Sequence, residues 1–175
     1  MSTQGTVTAR TDAGMLALWC ASTFEGIADY DAWESRVEDR VDEAIARGEF
    51  VPVNIRSDGA FGVRVTVAPN GLSARERTYA VTESEPYLLD VSRGEVCLSG
   101  IEGIGDRDNA ALRLQLPDGR YAVVVTLVAW DDEPASMGPD GTPADDALPD
   151  FVVRVAPEKG DETYRVQEQT FDPPQ

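Results

Sequence analysis

Phe50-Val51-Pro52-Val53-Asn54-Ile55-Arg56-Ser57-Asp58-Gly59-Ala60-Phe61-Gly62-Val63-Arg64-Val65-Thr66-Val67 is the stretch that decides the fold. Val51, Val53 and Ile55 alternate with other residues before the break, and Phe61, Val63, Val65 and Val67 do so after it. A period of two is the mark of strands with one face buried. Ser57-Asp58-Gly59 between the halves supplies the positive φ that a tight turn requires, so the stretch reads as a β-hairpin.

The same pattern continues outward. Strands are expected over 77–82, 87–91, 95–98, 112–116, 120–130 and 151–155, punctuated by Pro69-Asn70-Gly71, Pro86, Ser92-Arg93-Gly94 and Pro117-Asp118-Gly119. The run from Ala122 to Trp130 is almost wholly apolar, as expected of a central strand covered on both faces. Upstream, 14–20 reads as a buried strand and Thr6-Val7-Thr8-Ala9 as an edge strand. Downstream, Tyr164-Arg165-Val166 either adds an edge strand or stays loose. Many strands joined by short glycine turns predict an antiparallel β-sandwich, with a barrel the less favoured closure.

One helix interrupts this pattern, over residues 30–47. Asp29 or Asp31 caps its start, and Arg47-Gly48 closes it with a cation and a glycine. Tyr30, Trp33, Val37, Val41, Ala44 and Ile45 fall on one side of the wheel and predict a packing face. Glu34, Glu38 and Asp42 form an acidic row beside it, and Arg36, Arg40 and Arg47 lie on the other flank. The expected fold class is mainly β: an antiparallel sandwich with one packed amphipathic helix. Residues 14–157 read as one domain, between a polar segment at 1–13 and a polar tail at 158–175.

Composition narrows the chemistry. The chain has 175 residues and no histidine, which removes Ser-His-Asp triads, Cys-His pairs and most zinc or non-haem iron sites. A domain of this size buries roughly 70% of its unfolded surface and needs no staple. Acidic residues outnumber basic ones 32 to 15, for a formal charge of −17. That charge opposes nucleic acid and anionic membranes and favours a basic protein partner. Cys20 and Cys97 sit in apolar runs and read as buried thiols, with Arg93 the one cation near Cys97 in sequence. The apolar run 15–21 has no basic region before it and falls far short of the ~20 residues of a membrane span. A cytoplasmic protein without a cofactor is the expectation.

Three functional readings compete. The first is a non-catalytic acidic interaction or regulatory module, of which an inhibitor or immunity-type protein is one form, presenting Glu34, Glu38 and Asp42 to a basic partner. The second is a calcium- or small-ligand-binding sandwich using loops 99–110 and 131–150, with Asp131, Asp132, Asp140, Asp145, Asp146 and Asp150 as candidate ligands. Their spacing matches no calcium motif, and four prolines kink the second loop, so a solvated acidic loop is the simpler view. The third is a hydrolase using a carboxylate pair, which sequence spacing cannot select. Gly100-Ile101-Glu102-Gly103-Ile104-Gly105 has the wrong glycine spacing, and no lysine, for a phosphate cradle.

FVPVNIRSDGAF at 50–61, SEPYLLDVSRGEVCLSGIEGIG at 84–105, LPDGRYAVVVTLVAWDDEP at 116–134 and ALPDFVVRVAP at 147–157 resemble a group of uncharacterised bacterial proteins. The PDGRY turn, the long strand after it and the late DFVVRV strand are also similar to the competence-type nuclease inhibitors and related immunity-like sandwiches. That resemblance implies a sandwich fold and a protein partner, and brings no catalytic residues.

Overall fold

A computed structural model describes residues 6–173. Ten strands form two sheets: β1 (Thr6–Thr11), β2 (Met15–Cys20), β3 (Phe50–Asn54), β4 (Gly59–Val67), β5 (Ala80–Glu83), β6 (Tyr87–Val91), β7 (Glu95–Gly100), β8 (Leu112–Gln115), β9 (Gly119–Val128) and β10 (Phe151–Pro157). The first sheet runs β1-β4-β10-β9-β5, with β6 also pairing β9, and the second runs β3-β2-β7-β8. Pairing is antiparallel except between β4 and β10, which run parallel. The fold is a mainly β sandwich with a helical segment packed on it.

The core lies between the sheets. Trp19 meets Phe24 edge to face at 6.1 Å, and Phe151 meets Phe171 at 5.6 Å, all four nearly fully buried. Such pairs contribute about 0.5–1.5 kcal/mol beyond their buried area. Phe171 lies in the segment read as a polar tail. It anchors that segment in the core, and its N–H donates to Asn54 O at 2.8 Å beside β3. Residues 164–166 form no strand.

The hairpin expected at 50–67 does not form. β3 pairs with β2 (Leu16 opposite Val53), whereas β4 pairs with β1 (Val7 opposite Val63) and with β10. The turn bends as its residues require, with Arg56 at φ 60° and Gly59 at φ 150°, but it carries the chain from one sheet to the other. It stacks on the β1–β2 turn, where Ile55 N and Arg56 N both donate to Gly14 O at 2.8 Å. The β6–β7 and β8–β9 turns also cross between sheets. Paired neighbours are instead joined by long connections: 21–49 between β2 and β3, 101–111 between β7 and β8, and 129–150 between β9 and β10.

The helical segment 30–47 is present but divided. α1 (Tyr30–Arg36) and α2 (Val41–Arg47) flank a 3₁₀ turn at Glu38–Arg40. Asp29 caps α1, accepting from Ala32 N at 2.9 Å. Gly48 ends α2 at φ 76°, where a Cβ would come within 2.7 Å of Leu88 Cγ, so both turn and packing demand glycine. Val37, Ala44 and Ile45 are buried, and Trp33 and Val41 half-buried, as the wheel predicted. Tyr30 is not: it is 63% exposed.

Residues 77–79, read as the start of a strand, belong instead to α3 (Ala74–Tyr79). Ser73 and Glu76 form a full capping box that starts the helix there, and the strand begins only at Ala80. α3 and the 131–150 loop cover the outer face of β9 and β10. Val128, Leu148 and Val152 form a small second core beneath them, with Leu72, Tyr79 and Trp130 packed against it.

Candidate functional site

At the end of the second sheet, where β7 leaves it, three segments meet around an open cleft of about 620 Å³. The turn before β2 supplies Ala13, the entry to α1 supplies Ile27 through Tyr30 with Trp33 and Glu38, and the 101–111 connection supplies Glu102, Ile104, Gly105 and Asp106. The 99–110 loop and one member of the acidic helix row, Glu38, therefore come together. Glu34 is half-buried on α1 and Asp42 exposed on α2, and neither lines the cleft.

The walls are held by hydrogen bonds. Trp33 Nε1 donates to Ile101 O at 3.1 Å, fixing α1 to the 101–103 turn. Glu102 accepts from Thr11 Oγ1 at 3.0 Å and from Asp12 N at 2.9 Å, tying that turn to the β1–β2 corner. Asn109 donates to Asp106 at 2.7 Å. Tyr30 and Trp33 stand with ring centroids 5.7 Å apart, tilted by 31°. The Tyr30 hydroxyl donates to Glu38 at 3.4 Å.

Four carboxylates, Asp29, Glu38, Glu102 and Asp106, line the cleft, and neither lysine nor arginine does. The negative field reaches Tyr30, whose hydroxyl is pushed above its ordinary pKa chiefly by the charges of Glu38 and Glu34. Such a surface suits a cation that also has an aromatic-seeking face.

The 131–150 loop differs. Glu133 pairs with Arg75, which also donates to Asp146 O at 3.0 Å, clasping the loop to α3. Asp140 accepts from Thr142 Oγ1 at 2.6 Å and Thr142 N at 3.2 Å, closing a local turn. Asp150 accepts from Gly62 N and Trp130 Nε1, both at 2.8 Å, and burial pushes its carboxyl above the usual range. Asp131 is half-buried, with Oδ1 out of contact with any donor, while Asp132, Asp145 and Asp146 are exposed. Among the described residues, no three acidic or thiol side chains gather in a metal-holding group, so the structure does not assemble the six candidate calcium ligands. Of the acids a hydrolase could pair, Glu102 and Asp150 each have both oxygens engaged by protein donors.

Both cysteines are buried. Burial, with Asp90 and Glu49 nearby, pushes Cys20 up to about 12, and burial with Glu95 pushes Cys97 up to about 11. Arg93, near Cys97 in sequence, pairs with Glu25 at 3.2 Å instead. These thiols stay protonated and unreactive near neutral pH.

Sequence reasoning missed Tyr30 and Trp33 as cleft walls because both sit on the apolar side of the wheel. It missed Asp29, Glu102 and Asp106 because three separate segments bring them together. The available signal was positional: Tyr30 opens the helix, where the sheet no longer lies beneath it.

No protein-family model matches the chain, and no curated protein matches it significantly in sequence. Solved structures do match. The protein described as Crocagin biosynthetic gene J aligns over 91% of this chain and 98% of its own, with a TM-score of 0.61 and 20% identity. ComJ from Bacillus subtilis, inhibitor of the DNA degrading activity of NucA, aligns over 90% and 99%, with a TM-score of 0.51 and 11% identity. The likeness is one of fold. The similarity to the competence-type nuclease inhibitors, read from the PDGRY turn and the strands after it, holds at that level. No helix among the described residues is long and apolar enough to cross a membrane.

Proposed function

We propose that this protein is a non-catalytic binding module of the inhibitor or immunity type, which captures a basic protein partner on the acidic face that carries the cleft. The observation that carries the reading is the cleft lining: four carboxylates and two aromatic rings, with no cation of the chain's own among them. The formal charge of −17 supports it, since a strong field speeds association with a cationic partner and repels nucleic acid. The shared fold with ComJ, described as an inhibitor of a DNA-degrading enzyme, points to a nuclease as the first partner class to test. Two unpaired, buried cysteines fit a reducing compartment, and so a cytoplasmic site of action.

The test is binding to, and inhibition of, a panel of basic nucleases at about 50 and 300 mM salt, a range in which screening of exposed charges changes strongly. Saturable binding that weakens with salt, together with slowed DNA degradation, is the expected result. Absence of salt-sensitive binding across the panel would remove the proposal.

A further inference from the structure

We infer that the cleft between α1 and the 101–111 connection is a receptor for one arginine side chain projecting from the partner. This rests on the binding reading above and names the group that enters. Any basic surface is attracted by net charge, but the cleft has features that bulk charge does not supply. Trp33 is held in place through its indole N–H to Ile101 O at 3.1 Å, so one wall is a fixed aromatic plane. Tyr30, 63% exposed and 5.7 Å from it between centroids, extends that wall towards solvent. Glu102 and Asp106 line the same cleft, and Glu38 stands beside Tyr30.

The difference between the two cations decides the occupant. A guanidinium is planar, weakly hydrated, stacks on an aromatic face and offers paired donors to a carboxylate along its edge. An ammonium is compact and strongly hydrated, and gains less from the rings. Glu102 is already held at both oxygens by Thr11 and Asp12, so it contributes a fixed negative charge. Glu38 has one contact of 3.4 Å, from the Tyr30 hydroxyl, and is the carboxylate best able to accept the guanidinium edge. The neighbouring groove under α2 makes the contrast plain. It is also acidic, but Arg40 lines it and pairs with Glu43 at 2.8 Å, so the chain fills that position itself.

The experiment titrates the isotopically labelled protein with three capped tripeptides, Gly-Arg-Gly, Gly-Lys-Gly and Gly-citrulline-Gly, and follows the Trp33 indole N–H by NMR. The arginine peptide is expected to shift that resonance saturably and to bind about tenfold more tightly than the citrulline peptide, the scale of a partly desolvated cation–aromatic contact. The lysine peptide should fall between them. Tyr30→Ala with Glu38→Gln should abolish the difference, whereas Tyr30→Phe, which keeps the ring, should retain most of it. Both side chains are exposed, so an unchanged melting temperature will confirm that the fold is intact.

Equal shifts from the arginine and citrulline peptides would overturn the inference, as would arginine shifts of equal size across the 131–150 loop. A basic nuclease that binds in a salt-sensitive way but ignores Tyr30→Ala/Glu38→Gln would overturn it while leaving the binding module standing. If no basic nuclease binds but the peptide series behaves as expected, the proposed partner class fails and the arginine receptor survives.

Discussion

The molecule has two acidic regions that look alike in sequence and differ in three dimensions. The 131–150 loop is the denser, with seven acids, yet it works as a clasp: Glu133 answers Arg75, Asp140 closes its own turn, and Asp150 ties the loop to β4 and Trp130. Under that cover Arg64 and Glu76 form a doubly hydrogen-bonded pair at 2.7 and 2.6 Å. The α1 cleft holds fewer acids, but Asp29, Glu38 and Asp106 each meet a single side-chain or backbone donor and line an open cleft beside two aromatic rings. The lesson is that charge count does not locate a binding surface. A carboxylate bonded at both oxygens, as Asp150 and Glu102 are, has little left to offer a partner, and apolar area beside a charge is what turns attraction into specificity.

Breaking the pair beneath the clasp should have the largest effect. Arg64→Ala leaves Glu76, only 3% exposed, as an unpaired buried charge, and should cost about 3–5 kcal/mol in urea unfolding. The double variant Arg64→Met/Glu76→Leu should recover much of that loss, because replacing both partners removes the desolvation penalty with the pair. Neither change should alter the relative affinities of the cleft for cationic peptides. A loss of the arginine preference at full stability would show that the two regions are coupled.

Next in size is the cleft itself. Tyr30→Ala/Glu38→Gln should weaken binding of a basic nuclease by about tenfold or more at low salt, as loss of a central aromatic and charged anchor does. Its urea midpoint should stay near that of the parent.

The pH dependence separates buried Glu76, beneath the clasp, from half-buried Asp150, which is part of it. Burial would raise Glu76, but the Arg64 guanidinium and the Ser73 amide outweigh it and hold the carboxyl below its usual 4.5. A depressed carboxyl stabilises the fold above the unfolded value, and that contribution is lost as pH falls through the folded one. Asp150 has the opposite sign, raised above 3.8 mainly by burial. It costs stability near neutrality, and the cost eases as pH falls through its raised pKa. Relative to Glu76→Gln, the parent should therefore lose stability more steeply below about pH 4.5, measured as the urea midpoint at each pH.

The smallest effect belongs to the exposed loop acids. Asp132→Asn/Asp145→Asn/Asp146→Asn should change stability by less than about 0.5 kcal/mol per site and weaken partner binding only through general screening. Millimolar calcium should move the melting temperature by less than about 1 °C. A larger calcium shift that the triple variant abolishes would restore the loop as a cation site.

The strands were legible in two ways: β1, β8 and the first half of β9 bury alternate residues and carry the period of two, whereas β2, β3 and β7 are buried on both faces and stand out as runs rich in apolar residues. Asp29 as a cap and Gly48 as a stop were legible for the same local reason: they satisfy backbone groups within a few residues. What failed depended on distant partners. Asp58-Gly59 bends the chain as its residues dictate, but nothing in a turn states whether the strand it releases will pair with the one before it. Here β4 found β1 and β10, and the β1–β2, β3–β4, β6–β7 and β8–β9 turns all cross between the sheets. At the cleft, Glu38 and the 99–110 loop are visible separately, and Trp33 packs against the core as its spacing predicts, but Tyr30 does not, because helical spacing cannot show where the sheet beneath a helix ends.

By itself the sequence determined the β character, the helical segment with its ends, the absence of histidine chemistry and the sign of the surface potential, because each follows from residue type and short-range spacing. Only the tertiary structure decided which strands pair, which acids are held at both oxygens inside the chain and which gather beside aromatic rings at the cleft. Those outcomes turn on residues brought together across long stretches of chain, 68 positions for Trp33 and Ile101 and 91 for Glu102 and Thr11. Contacts over such separations are set by the packing of the whole sandwich, which no local pattern encodes.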